Sequence, residues 1–359
     1  MRAIPLETYC KVTVFDLQRK VHNMQRRDFF KNVGLLSAAA GLTVSLDSET
    51  MGADARDFNT TNYPNKKGKP IPGWGDEQVE HFTSYYPDFC DKILWIRKDN
   101  QVIAAYRTNP NQKYPYIYPL AGPISRVSVT AESAQPWPHH RSVFMGADKV
   151  NGGNYWQEGR AQGQIFSTDL KLVKAETNQV VFSDVCLWKH PEQDPIIEDT
   201  REYTLTWKND DYYTLDLNFS MKMLADVHIA KTNHGFFGVR VEQDLCPHGG
   251  GVLINSNGIK GEKDTFGKPA KWTAFYGKRR FNPEITEGVA VLCPPKEPFE
   301  NCPWFTRDYG NISPMPFLFT EEGFSWKKDD VLKGVYRIVV FAGTTQDVDL
   351  DGLWNELYA

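Results

Sequence analysis

The side chains most able to do acid-base chemistry are three histidines in two short segments. His139 and His140 are adjacent at the start of an apolar stretch, and His234 follows Asn233 in a turn before another strand. Imidazole titrates near neutral pH, so it can transfer a proton or bind a metal. Adjacent side chains on a strand point to opposite faces, so we expect at most one of His139 and His140 to face a given cleft. The alternative is a set of hydrogen-bonded surface histidines.

A lone arginine, Arg240, lies in the apolar strand that follows His234. A guanidinium in an apolar strand is costly unless a carboxylate or a ligand meets its donors. The candidate partners are Glu262, Glu198 and Asp199. The segment therefore predicts either a ligand-binding arginine or a buried structural ion pair.

A third segment, from Cys302 to Asn311, mixes aromatic and charged residues. The rings of Trp304 and Tyr309 could stack on the C–H faces of a sugar, while Arg307 could bind hydroxyl groups. Packing of the loop would use the aromatic residues equally well. The segment is a candidate carbohydrate subsite.

The composition narrows the possible partners. The 41 lysines and arginines nearly balance the 45 aspartates and glutamates, so there is no basic field for nucleic acid or an anionic membrane. Beyond the N-terminal signal, no run of about 20 apolar residues would span a bilayer. We expect a carbohydrate or another small neutral molecule as the partner. No cofactor is predicted, although a metal is not excluded.

The N-terminus carries an export signal. Arg26 and Arg27 precede a weakly apolar stretch, which is the twin-arginine pattern, and cleavage is expected after Ala55. We therefore predict that residues 1–23 precede the native start, that 24–55 are the signal and that 56–92 are a linker and loose segment. Residues 93–359 are expected to form a single β-sandwich domain of the mature protein, in the periplasm or outside the cell. Its oxidising surroundings would allow a Cys293–Cys302 disulfide.

In the rest of the chain, β-branched and aromatic residues mostly alternate with polar ones, which predicts a succession of strands. We expect a short helix, capped by Thr345 or Asp347, near the C-terminus. Strands without intervening helices predict an all-β fold, a single large antiparallel β-sandwich with few helices. The predicted strands are Val102–Arg107, Ser125–Thr130, Gln164–Val173, Gln179–Trp188, Glu202–Trp207, Tyr212–Met221, Gly235–Val241 and Val331–Phe341.

The ordered motifs resemble the bacterial family known as methane oxygenase PmoA-like, whose members are exported β proteins without an established activity. A methane-oxidising subunit would be an integral membrane protein, and the absence of an apolar span argues against that function. The resemblance covers roughly residues 100–320. It rests on Tyr116–Pro119, His139-His140, Asn151–Trp156, Asn233-His234 to Arg240, Gly249-Gly250, Gly261-Glu262, Trp272 and Trp304–Gly310.

The architecture is also similar, more weakly, to the galactose-mutarotase-like supersandwich. That similarity implies a sugar site in which His139 or His140 and His234 act as acid and sugar-binding groups. Glu262 or Glu198 would be the general base, and Arg240 and Arg307 would bind hydroxyl or carboxylate groups.

Three functions remain open at this stage. The first is an exported carbohydrate-active enzyme, an epimerase, lyase or glycoside hydrolase that uses histidine and glutamate. The second is a non-catalytic carbohydrate-binding protein. The third is a metal-dependent oxidoreductase with His139 or His140, His234 and a carboxylate as ligands.

Overall fold

The computed structural model of the protein describes residues 81–87, 92–157, 159–296 and 299–358. The predicted pre-start segment 1–23, the signal peptide 24–55 and most of the linker lie outside these residues. Residues 81–87, expected to be part of a loose segment, form a strand that pairs with residues 92–98. No described helix is long and apolar enough to cross a membrane.

The described strands form two large antiparallel sheets. The first has the central order β1-β2-β3-β4-β5-β13-β18-β17, and β6, β12 and β19 attach beside it. Its strands are β1 (His81–Pro87), β2 (Lys92–Lys98), β3 (Gln101–Arg107), β4 (Tyr116–Leu120), β5 (Val143–Val150), β6 (Gly153–Asn154), β12 (Val227–Ile229), β13 (Gly235–Arg240), β17 (Trp304–Arg307), β18 (Asn311–Pro314) and β19 (Phe324–Trp326).

The second sheet has the order β14-β15-β16-β20-β11-β10-β9-β7, and β8 pairs with β9. Its long hairpin of β10 and β11 turns through residues 208–211, as the sequence predicts. Its strands are β7 (Gln164–Ser167), β8 (Lys171–Ala175), β9 (Gln179–Lys189), β10 (Ile197–Trp207), β11 (Tyr212–Met223), β14 (Val252–Asn255), β15 (Trp272–Arg279), β16 (Asn282–Leu292) and β20 (Val331–Ala342).

Aromatic side chains from both sheets meet in one core. The ring of Tyr106 lies 5.3 Å from that of Phe182 and 5.2 Å from that of Tyr203, while Phe237 stacks on Tyr336 at 4.5 Å. Such ring pairs stabilise the interface beyond the apolar area they bury. The two sheets therefore pack face to face, which confirms the predicted all-β antiparallel sandwich with few helices.

Two predicted strands differ from the observed structure. Ser125–Thr130 forms turns. The hydroxyl of Ser128 donates a hydrogen bond to the carbonyl of Thr130. The carboxylate of Glu287 accepts hydrogen bonds from the backbone N–H and the hydroxyl of Ser125. Such local side-chain bonds compete with strand pairing. The predicted strand Gln164–Val173 is interrupted at residues 168–170 and forms β7 and β8.

The helices are short. Glu262–Thr265 makes one turn, and the longer helix is Leu350–Tyr358. Asp349, rather than Thr345 or Asp347, caps that helix, because its Oδ1 accepts the N–H of Gly352 at 2.8 Å. Single turns of 3-10 helix occur at Arg160–Gln162, Gln243–Leu245, Pro247–Gly249 and Pro316–Leu318.

The Cys293–Cys302 disulfide that an oxidising compartment would allow is not formed. Both cysteines are buried free thiols, and each lies against the carbonyl of the proline that follows it, at 3.7 and 3.5 Å. Burial raises the pKa of the Cys293 thiol well above its usual range, which keeps it protonated.

A charged pair is buried in the second sheet. Along β10, residues alternate between buried and exposed, and Asp199 and Arg201 share the buried face with Tyr203. Asp199 Oδ2 accepts bonds from Arg201 Nε at 2.8 Å and Nη2 at 2.6 Å. It also accepts one from the indole N–H of Trp188 at 3.1 Å. Arg201 is therefore compensated inside the core.

Candidate functional site

The three predicted histidines meet at one cavity of about 350 Å³. Its walls come from loops and strand ends around β5, β13 and β17, all in the first sheet. The lining residues are Trp137, His139, His140, Gln157, Asn233, His234, Phe305, Arg307 and Tyr309.

Two buried aromatic rings, Phe144 and Trp156, lie next to the cavity, 6.0 and 6.3 Å from the ring of His140. On β13, Phe237 stacks on Tyr336 of the second sheet, and the position that follows it lies close to both Phe144 and Trp156. That position is Gly238, where an added Cβ would come within 2.8 Å of the Phe144 ring and 3.3 Å of Trp156. The glycine thus lets these two aromatic rings pack tightly beneath the cavity.

His139 and His140 both line the cavity, which contradicts the expectation that at most one would. Residues 137–140 form a turn rather than a strand, and the N–H of His140 donates to the carbonyl of Trp137 at 3.1 Å. Side chains therefore do not alternate here. The two imidazole centroids lie 4.5 Å apart, and that of His234 lies 5.9 Å from His139.

His234 is paired with an acid that the sequence did not single out. Its Nδ1 lies 3.5 Å from Asp148 Oδ2, across the paired strands β5 and β13. Burial of Asp148 by itself would raise the pKa of its carboxyl group. Hydrogen bonds from His234 and from the backbone N–H of Lys149 have the larger combined effect and hold that pKa below its usual range. The carboxylate therefore stays ionised and orients the imidazole, which leaves Nε2 for a ligand.

His140 is held neutral. It is 4% exposed, and its ring stacks near those of Phe144 and Tyr309. Burial, with His139, Arg240 and His234 nearby, lowers the pKa of His140 to about 2. Its buried Nδ1 has no hydrogen-bond partner among the described residues. His140 can therefore serve as a neutral donor or acceptor but not as a cation near pH 7.

This burial predicts a pH-dependent stability. Below about pH 6.5 the unfolded chain protonates His140, whereas the folded chain does not until about pH 2, so stability is lost as the pH falls through that window. Between pH 7 and pH 5, the free energy of unfolding of the wild type should fall by about 2 kcal/mol more than that of His140→Phe, which has no imidazole at this position. Denaturant unfolding at both pH values measures this difference. Parallel curves for the two proteins would contradict it.

Of the two roles that the sequence left open for Arg240, the structure does not show the buried ion pair with any described carboxylate. The side chain is 3% exposed, and its Cζ lies 4.6 Å from the centroid of the Tyr309 ring. Its Nη2 donates to the carbonyl of Gln135 at 3.0 Å. The proposed partners lie elsewhere, since Asp199 holds Arg201 and Glu262 holds Arg307.

Glu262 supports Arg307 instead of facing the cavity. Its Oε1 accepts a bond from Arg307 Nη1 at 2.9 Å, and its Oε2 accepts the N–H of Asp308 at 2.9 Å. Asp308 Oδ1 in turn accepts the N–H of Glu262 at 2.9 Å. Glu262, one of the two carboxylates named as a possible general base, thus positions Arg307 and is not among the residues that line the cavity.

Two other predicted site residues lie away from the cavity. Glu198 is exposed on β10 of the second sheet, because it alternates with the buried Ile197 and Asp199. Trp304 is 0% exposed, and its indole N–H donates to the carbonyl of Ala270 at 2.9 Å. Trp304 is thus a core residue and presents no face to a sugar.

The structure adds residues that sequence reasoning missed. Trp137, which is 46% exposed, Phe305 and Gln157 line the cavity beside the predicted Asn233 and Tyr309. Gln157 belongs to the turn after Asn154, whose Oδ1 accepts the N–H groups of Trp156 and Gln157, each at 2.9 Å. The Asn151–Trp156 motif was the signal that could have pointed to Gln157.

A larger cavity, of about 460 Å³, lies near Cys293, Lys271 and Trp354. Its charged lining residues, Lys271 and Asp351, lie 3.8 Å apart, and Lys271 also lies over the Trp354 ring. These charges already compensate each other. The smaller cavity is the better candidate site because the histidines converge there.

Metal ligation is the remaining chemistry to consider. Within the part of the chain that the structure describes, no group of three or more histidine, cysteine, aspartate or glutamate side chains is placed to hold a metal ion. The histidines of the cavity are instead packed as rings against one another and against Trp156.

The fold and the cavity define an all-β sandwich protein with a histidine-lined site on one sheet. The chain belongs to DUF6807, a family of unknown function, which matches residues 94–355. This match does not test the resemblance to the PmoA-like family, which stays a prediction. A comparison with curated proteins gives no match.

Solved structures similar to the chain include relatives of galactose mutarotase, the kind of protein that the weaker resemblance indicated. A putative aldose 1-epimerase from Escherichia coli K12 has 10% identity and a TM-score of 0.32, over 73% of this chain and 99% of that one. A galactose mutarotase related enzyme from Lactobacillus acidophilus has 9% identity and a TM-score of 0.30, over 75% and 100%. At these TM-scores the likeness carries no argument about activity.

Proposed function

We propose that the protein is a carbohydrate-active enzyme whose histidines transfer protons in the cavity. The observation that carries this proposal is the His234–Asp148 pair beside His139 and His140. An imidazole oriented by a carboxylate is a competent general base or acid near neutral pH.

The other walls of the cavity suit a sugar. Trp137, Phe305 and Tyr309 offer aromatic surface for the C–H faces of a ring. Asn233 and Gln157 offer amide groups for hydroxyls, and Arg307 offers a guanidinium. This mixture of aromatic surface and a few convergent polar groups is typical of small-molecule sites.

Among the three candidate reactions, the cavity favours epimerisation or elimination. Glycoside hydrolases usually place two carboxylates across the scissile bond. Here the proton-transferring groups that line the cavity are imidazoles, while Asp148 and Glu262 support His234 and Arg307. A base that removes a ring proton and an acid that returns one, or that protonates a leaving group, are roles that histidines can fill.

Incubation of the full chain with a panel of neutral and acidic mono- and oligosaccharides, followed by NMR, tests this proposal. We expect new product signals with the wild type and loss of most of them with His234→Ala. Ligand line broadening without any product would instead support a carbohydrate-binding protein. Neither products nor broadening with any sugar would refute a carbohydrate function.

We further propose that the mature domain is exported by the twin-arginine route. The support is the Arg26-Arg27 pair with the weakly apolar stretch after it. N-terminal sequencing of the protein from the periplasm or medium tests this, with an N-terminus near residue 56 as the expected result. Retention of the full chain in the cytoplasm would contradict it.

A further inference from the structure

A positive charge without an acidic partner lies directly behind the cavity. Arg240 is 3% exposed, and its Nε and Nη1 have no hydrogen-bond partner among the described residues. The guanidinium packs on Tyr309, which lines the cavity. A buried cation whose donors are unmet is costly, and a nearby anion would offset that cost.

The other charges around the cavity are already compensated. Glu262 pairs with Arg307, and Asp148 pairs with His234. Burial keeps His140 neutral, and no aspartate or glutamate is among the described residues that line the cavity. Glu242, two residues away, attracts Arg240, but no described carboxylate forms an ion pair with it, and in a region of low dielectric its field acts more strongly than in water.

We propose that the ligand of this cavity is a carbohydrate that bears a carboxylate, a uronic acid or an oligosaccharide containing one. This inference rests on the proposed carbohydrate function and narrows its substrate class. Glu262 holds Arg307 through Nη1, and the carboxylate of the ligand lies against the rest of that guanidinium, in the field of Arg240.

Tyr309 is suited to assist in binding the acid. Burial raises the pKa of Tyr309 to about 12, so its phenol stays protonated and can donate to a carboxylate. Its ring also lies between the cavity and the Arg240 guanidinium, at 4.6 Å from the latter. Neutral hydroxyls would gain much less than a carboxylate from this arrangement.

Matched sugars that differ only at C6 test the inference. Isothermal titration calorimetry of the full chain with galacturonate and galactose, and with glucuronate and glucose, is expected to give at least about tenfold tighter binding of each acid at low salt. The preference should shrink in 0.5 M NaCl, because screening weakens the attraction. Equal affinity for acid and neutral sugar would overturn the inference and leave the carbohydrate function standing. Binding of no sugar would overturn both.

Substitutions locate the effect. Arg307→Gln and Arg240→Gln should each lower the preference for the acid several-fold, while Arg280→Gln, an exposed arginine outside the cavity, should keep it. Arg307 is 25% exposed, so its replacement leaves the core packed and gives a result even if Arg240→Gln fails to fold. An undiminished preference in Arg307→Gln would overturn the inference.

Discussion

Replacement of His234 with alanine is expected to lower turnover of the carbohydrate substrate by about 10²- to 10⁴-fold, the usual contribution of a positioned general acid or base. The reason is the orientation of the imidazole by Asp148, at 3.5 Å, which leaves the second nitrogen for the substrate. The measurement is kcat and KM on the substrate found by NMR, with a melting curve to show that the variant is folded.

His228→Ala is the matched control. His228 is exposed on β12, where its Nδ1 contacts the hydroxyl of Ser325 at 2.8 Å, and it does not line the cavity. Its loss should leave turnover within about twofold of the wild type. A His234→Ala enzyme with normal kcat would remove this histidine from the mechanism.

Asp148→Asn provides a second test of the role of the His234–Asp148 pair. The amide keeps a hydrogen bond to His234 but no longer stabilises a charged imidazole, so kcat should fall less than in His234→Ala. The pH dependence of kcat should also change, because the variant replaces a carboxylate that is ionised near neutral pH with a neutral amide. An unchanged pH profile would show that Asp148 has only a structural role.

The largest expected effect on stability is that of Asp199→Ala, which should lower the free energy of unfolding by about 3–5 kcal/mol. Both Asp199 and Arg201 are 0% exposed, and the carboxylate also accepts the Trp188 indole N–H. Its removal leaves the guanidinium of Arg201 buried and uncompensated. Denaturant unfolding measures the change.

Asp169→Ala is the control for this prediction. Asp169 pairs with Lys171 at the surface, where the two side chains are 48% and 63% exposed. Surface pairs contribute about 0–1 kcal/mol, so this variant should stay close to the wild type. Joint replacement of Asp199 and Arg201 by Leu and Met should cost less than Asp199→Ala alone, because no unpaired charge remains. A mild effect of Asp199→Ala would contradict the assigned burial.

Local sequence pattern sufficed for several long strands of the second sheet, although β15 and β16 of the same sheet were not predicted. β9, β10 and β11 alternate buried and less buried residues along their length, and a period of two is visible without any tertiary information. The same alternation places Glu198 outside, opposite in phase to Asp199. The exposed position of Glu198 could therefore have been predicted from the sequence, although Glu198 was proposed as a site residue.

The sequence also singled out several of the side chains that line the cavity, but not the partners of those side chains. His139, His140, His234, Asn233 and Arg307, which residue type singled out in the sequence, line one cavity, although at most one of His139 and His140 was expected there. Residue type is a property of the chain, and a histidine next to a turn is recognisable wherever it occurs.

Only the tertiary structure decided which groups meet. Asp148 faces His234 because β5 and β13 pair in a particular register, and that register depends on contacts between distant parts of the chain. The burial of Trp304, the attachment of Glu262 to Arg307 and the lack of a carboxylate beside Arg240 depend on the same long-range packing. Strand period is a local property of the sequence, whereas the partner of a buried charge is fixed when the sheets and their loops assemble.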